Sequence, residues 1–155
     1  MTLPTLLRIK RLRVERAEQA LQRQELRVGE AQRLHQTTLA DHKQYRQWRQ
    51  AQETRLFEQC KAQPINRKTL EQWQQQVARL REKEAALEQT IAEHAQTLAQ
   101  ERERLRLSRR QLQEAQQQVA KFNELNAHAL AEELMLLEFK EEQELEEFRR
   151  TEAAS

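Results

Sequence analysis

The sequence has almost nothing with which to turn a chain. It holds one glycine, Gly29, and two prolines, Pro4 and Pro64, in 155 residues. An average domain carries roughly 7% Gly and 5% Pro. Sheets, barrels and doubly wound folds need turn chemistry every dozen residues or so, which excludes them. A chain that can rarely fold back also has little means to close a pocket around a small substrate, so an enzyme is not expected. Aromatic residues make up only 5% of the chain. Cys60 is the one cysteine. It cannot form an intrachain disulfide, and a reducing compartment is the simple reading. No apolar run approaches the roughly 20 residues of a membrane span, so direct membrane insertion is not expected. The first residues, Leu3, Leu6 and Leu7 followed by Arg8, Ile9, Lys10 and Arg11, are too few and too basic for a signal-peptide core. The expectation is a cytoplasmic chain.

What is abundant is helix-forming. Charged residues are 34% of the total. Leu, Ala, Glu, Gln and Arg dominate, and every acidic residue except Asp41 is Glu. High charge with few aromatics fits disorder, but these residues are strong helix formers, and the apolar ones keep a strict period. A long coiled coil accounts for both. The net charge of +2 implies no partner by itself.

Only Gln63-Pro64-Ile65-Asn66 breaks the pattern. Pro64 has no amide hydrogen and disfavours helix in the residue before it. Asn66 is a good N-cap for the amides of Lys68 or Thr69. The expected fold is all-α: a single coiled-coil domain over residues 1–155, forming a long antiparallel two-helix hairpin. Helix 1 covers about residues 3–62, the turn 63–66, and helix 2 about 67–150. At 1.5 Å per residue the helices are roughly 90 and 125 Å long. Gly29 lies inside helix 1 and does not end it.

Helix 2 carries the clearest heptad. One series is Leu70, Val77, Glu84, Ile91, Leu98, Leu105, Leu112 and Val119. The other is Trp73, Leu80, Leu87, His94, Glu101, Ser108, Ala115 and Phe122. This is a coiled-coil seam. In helix 1, Leu7, Val14, Leu21 and Val28 alternate with Ala17, Gln24 and Ala31. The apolar stripe then passes to Leu34, Tyr45, Trp48 and Leu56, which reads as a stutter. A turn near residue 64 places Leu56 by Trp73, His35 by His94, and Leu7 by Lys121 and Phe122. Residues 126–150 then overhang, and they either continue the helix or fold back.

The overhang is an apolar cluster, Leu130, Leu134, Met135, Leu136, Leu137 and Phe139, followed by a glutamate-rich run from Glu138 to Glu147. The N-terminal segment is basic, with Arg8, Lys10, Arg11, Arg13 and Arg16. The plain alternative is charge alternation on solvated faces.

No glycine-rich loop is present to cradle a phosphate, and no cofactor is expected. His35, His42, His94 and His128 do not pair with one another or with Cys60 at helical metal spacing, so no metal is expected. Polar seam residues such as Gln24, Glu84 and Glu101 read as layers that fix register. Basic residues interleaved with glutamates on antiparallel helices differ from the basic block of a zipper, so nucleic acid is not expected as a partner. Tyr45, Trp48, Phe57 and Trp73 gather near the turn. Trp73 is a seam position, whereas Tyr45 and Trp48 are open to core or partner roles.

Several ordered segments carry a resemblance. In helix 1 they are residues 12–18 (LRVERAE), 45–49 (YRQWR) and 55–59 (RLFEQ). In helix 2 they are 70–74 (LEQWQ), 80–85 (LREKEA), 101–105 (ERERL), 121–125 (KFNEL) and 141–148 (EEQELEEF). Together they resemble the YscO family of type III secretion proteins, over about residues 6–150. The family is similar to the flagellar FliJ stalk protein. The resemblance implies a non-enzymatic central stalk in the pore of the hexameric secretion ATPase, linking it to an export-gate protein at the inner-membrane base of the secretion apparatus. It also implies a link to translocator chaperones, and so the alternative of an escort that recycles them. By analogy the joined termini enter the ATPase ring, which assigns Arg8, Arg11, Arg13 and Arg16 to that partner. The turn-proximal end faces the gate or a chaperone, which assigns His42, Tyr45, Trp48 and Trp73. A free stalk is expected to be monomeric.

Overall fold

Helix α1 spans Leu3–Lys61 and helix α2 spans Arg67–Ala154. The computed structural model describes residues 2–62, 64 and 66–154. The fold is an all-α antiparallel coiled-coil hairpin, with no strand among the described residues. Gln63 and Ile65 of the expected turn lie outside the described residues. Pro64 and Asn66 are exposed and non-helical. Asn66 caps α2: its Oδ1 accepts from the Thr69 amide at 2.8 Å and from the Thr69 hydroxyl at 2.7 Å. Thr2 does the same for α1, accepting from the Thr5 amide at 3.4 Å. Gly29 is exposed inside α1, and a Cβ there would meet nothing within 4 Å.

The chain divides into two compact units. Unit 2 comprises Gln22–Leu107. Its antiparallel register shows in contacts that climb α2 as they descend α1. Phe57 packs on Trp73 with ring centroids 6.4 Å apart. The Tyr45 hydroxyl donates to the Leu80 carbonyl at 2.8 Å. The Gln24 amide donates to the Glu101 carbonyl at 3.0 Å and to the Glu101 carboxylate. Unit 1 comprises Met1–Leu21 and Ser108–Ser155. Here Lys10 lies over the Phe122 ring at 5.2 Å, and Arg11 donates to Asn123 Oδ1 at 3.3 Å.

The two heptad series of α2 are covered at every position from Val77 and Trp73 onward, and Leu70 alone stands in the exposed class. The seam of α1 departs from the expected stutter. Its covered positions keep one phase: Leu7, Val14, Leu21, Val28, His35, His42, Arg49 and Leu56, alternating with Lys10, Ala17, Gln24, Ala31, Thr38, Tyr45 and Gln52. Leu34 and Trp48 lie outside it, exposed. Polar residues occupy the seam where the sequence pattern follows the nearest apolar side chain instead. Gln24, Tyr45 and Arg49 find polar partners on α2, and Thr38 bonds back to the Leu34 carbonyl of its own helix.

Among the described residues only Leu7, Gln24, Ala31 and Leu98 are buried, at 6–7% exposure. A two-helix seam has little depth, so most of its residues keep one flank in water. The last covered residue of α2 is Ala129. From Leu130 to Ala154 the helix continues with every described residue exposed.

Candidate functional site

Two regions carry the residues that sequence reasoning singles out, one in each unit. In unit 1, Arg8, Arg11, Arg13 and Arg16 are all exposed along the first turns of α1. Arg11 reaches Asn123, and Arg13 lines a shallow groove with Lys10, Gln111, Glu114 and Gln118. Among the described residues none of the four arginines makes an ion pair, so all four charges face solvent. The same unit holds the exposed end of α2. Leu134, Met135, Leu136, Leu137 and Phe139 are 56–69% exposed there. No described residue of α2 beyond Ala129 is covered.

In unit 2 the structure brings together only part of the expected set. His42, Tyr45 and Trp48 lie within two turns of α1, whereas Trp73 lies nearer the chain reversal, against Phe57. Tyr45 is a half-buried seam residue. Burial pushes its phenol up, against the pull of the Arg49 charge. Lys83 sits over its ring at 5.3 Å. Trp48 packs against Tyr45 with the two rings tilted at 39° and their centroids 5.6 Å apart, and it is 50% exposed. It forms one wall of a groove completed by Gln52, Leu56, Gln76, Arg79 and Leu80. Trp73 is half-buried, and its indole N–H is buried without a hydrogen-bond partner. His94 lies in a small cavity with Ala31, Leu34 and Thr97, which His35 does not line.

Sequence reasoning missed a charged layer that crosses the seam at His42 and Arg49. Arg49 Nη1 lies 3.0 Å from Glu53 Oε1, and its Nε is in close ion-pair contact with Glu84 Oε2. Arg81 Nε approaches Glu53 from α2 at 3.1 Å. Burial works against the Arg49 charge, but the hydrogen bond and charge of Glu53, with Glu84, outweigh it and hold the guanidinium above its ordinary value. Burial likewise opposes ionisation of Glu53, and Arg81 with Arg49 holds its carboxyl below the usual carboxylate range. His42 faces Glu84 and Glu88 from α1. Among the described residues these three side chains are a group that could hold a cation, across the helices rather than along one. No signal in a single helix reveals them, because their proximity depends on the register of the hairpin.

No described helix is long and apolar enough to cross a membrane. The described surfaces hold grooves between two helices, exposed guanidinium groups and exposed apolar side chains.

A family model described as type III secretion protein YscO matches residues 3–151. Over 81 residues the chain is 48% identical to the Yop proteins translocation protein O of Yersinia pseudotuberculosis, a stretch covering 52% of this chain and 53% of that protein. The chain thus spans about half the length of this curated relative. The crystal structure of the type III secretion protein YscO from Vibrio parahaemolyticus matches with a TM-score of 0.88 at 38% identity, covering 94% of this chain and 92% of that one. A match along nearly the whole chain, in sequence and in fold, places it in the YscO family of type III secretion proteins.

Proposed function

We propose that the protein is a non-enzymatic central stalk of a type III secretion system, inserting into the hexameric secretion ATPase and coupling it to the export gate at the inner-membrane base. The observation that carries this reading lies in unit 1. Free arginines on α1 and an uncovered apolar and acidic extension of α2 occur in one compact unit. An exposed apolar cluster of this density marks a contact surface. Arg8, Arg11, Arg13 and Arg16 supply charge contacts worth about 1 kcal/mol or less each, which hold without locking. The aromatic region of unit 2, with His42, Tyr45, Trp48 and Trp73, then serves the gate.

The test is titration of the full chain into the cognate secretion ATPase, following phosphate release. Stimulation saturating at about one chain per six ATPase subunits is expected, as one axial element per ring requires. Charge reversal at Arg8, Arg11 and Arg13 should weaken the complex. Unchanged binding in that variant, with loss in Tyr45→Ala/Trp48→Ala, would invert the polarity of the assignment.

The half-exposed Trp48 and its groove favour a second reading, an escort for translocator export chaperones. A partner-binding aromatic in a groove is the usual form of such a contact. This reading expects a stable chaperone complex and no change in ATP turnover.

A further inference from the structure

We propose that His42, Glu84 and Glu88 form a binding site for a divalent cation of the zinc class, which clips α1 to α2 within unit 2. His42 Nε2 lies 3.6 Å from Glu84 Oε1 and 3.4 Å from Glu88 Oε1. One ligand atom from each residue lies within 4.8 Å of the other two. These separations exceed the 2.7–3.2 Å of an N–H···O hydrogen bond. They suit ligands around a shared ion. Nitrogen and oxygen atoms each about 2.05 Å from a tetrahedral centre stand about 3.3 Å apart.

The imidazole gives the stronger argument. His42 Nε2 is buried, has no hydrogen-bond partner, and points between two carboxylates. A buried polar atom left so is uncommon and calls for a partner. Glu84 and Glu88 are one helical turn apart on α2, so both present an oxygen to the same side.

The surrounding charges leave the site open. Arg49 engages Glu84 through Oε2, so Oε1 remains for the ion. Arg46 Nε is 3.9 Å from that Oε1, but its side chain is 60% exposed and can withdraw into water. Among the described residues Glu88 makes no ion pair except with His42, so its charge is uncompensated by any Lys or Arg. Tyr45, the next seam residue, keeps its hydroxyl on the Leu80 carbonyl and does not compete. One nitrogen with two carboxylate oxygens favours Zn²⁺ over Mg²⁺ or Ca²⁺, which take oxygen ligands. Water completes the coordination. The site shares His42 with the region proposed to serve the gate, but it does not depend on that role.

The experiment uses the full chain, stripped with EDTA and titrated with Zn²⁺ alone by calorimetry. Co²⁺ absorption reports the geometry in parallel. Saturable binding of one Zn²⁺ per chain is expected, with a raised unfolding temperature. Affinity should fall at least tenfold in both His42→Ala and Glu88→Gln and stay unchanged in Cys60→Ser. The Glu88 side chain is 61% exposed, so Glu88→Gln keeps the fold even where His42→Ala does not. Absence of saturable binding, retention of full affinity by either of the first two variants, or its loss in Cys60→Ser would overturn the assignment.

Discussion

In unit 2 the side chains of Arg49 and Glu84 are 11% and 12% exposed, while in unit 1 Leu134 and Met135 are 61% and 69% exposed. Polarity alone would reverse that order. Coverage in a thin two-helix seam follows heptad position more than chemistry, with Leu70 beside the turn the exception in α2. Some polar residues there gain a partner across the seam, as Gln24 has in Glu101 and Arg49 has in Glu84. Where α2 runs on without α1 beside it, a leucine stays in water.

The largest effect should separate two leucines of the same helix. Leu98→Ala removes a side chain that is 6% exposed and should destabilise the chain by about 2–4 kcal/mol. Leu134→Ala should change stability by no more than about 0.5 kcal/mol. Urea unfolding followed by circular dichroism measures both. Equal losses would mean that the end of α2 is covered in the free chain.

Glu84→Ala, measured in EDTA, should cost about 2 kcal/mol by leaving Arg49 half-buried beside an empty position. Arg49→Met/Glu84→Leu should recover most of that loss, since a paired charge and a well-packed apolar pair are of similar worth. Failure of the double variant to recover would make the charged layer a net source of stability.

Acid offers a milder test. The Glu53 carboxyl is held low in the folded state, so its contribution is in place at neutral pH. It is lost as pH falls below about 4.3, through the ordinary carboxylate value and on through the lower folded one. Glu53→Gln should flatten that acid limb. Glu30 and Glu103 are also held low, by Arg33 and Arg106, but on solvated surface where salt screens them. Their substitution should leave the limb unchanged. The smallest effect is a gain: Gly29→Ala should add about 0.5–1 kcal/mol, because the position is helical and open.

The α2 seam was legible because its apolar series repeats over many heptads, and its few polar members are absorbed by the pattern. The Asn66 cap was legible because capping is local. The second half of the α1 seam was not. Thr38, His42, Arg49 and Gln52 look like surface residues, while Leu34 looks like core. What inverts them is the phase set by Leu7 through Ala31, carried on by a partner helix. The His42, Glu84 and Glu88 group was hidden for the same reason. Trp48 was left open between core and contact, and its exposure leaves the ring accessible.

The turns of α2 beyond Ala129 keep their hydrogen bonds with nothing packed over them. Such turns open and reclose with far less free energy than a buried seam requires. Deuterium should therefore enter the backbone there within the first moments of exchange, long before it reaches Leu98. A molecule that grips this stretch would find the backbone already wound and would stop that clock, so the slowing of exchange would map the footprint of the contact turn by turn.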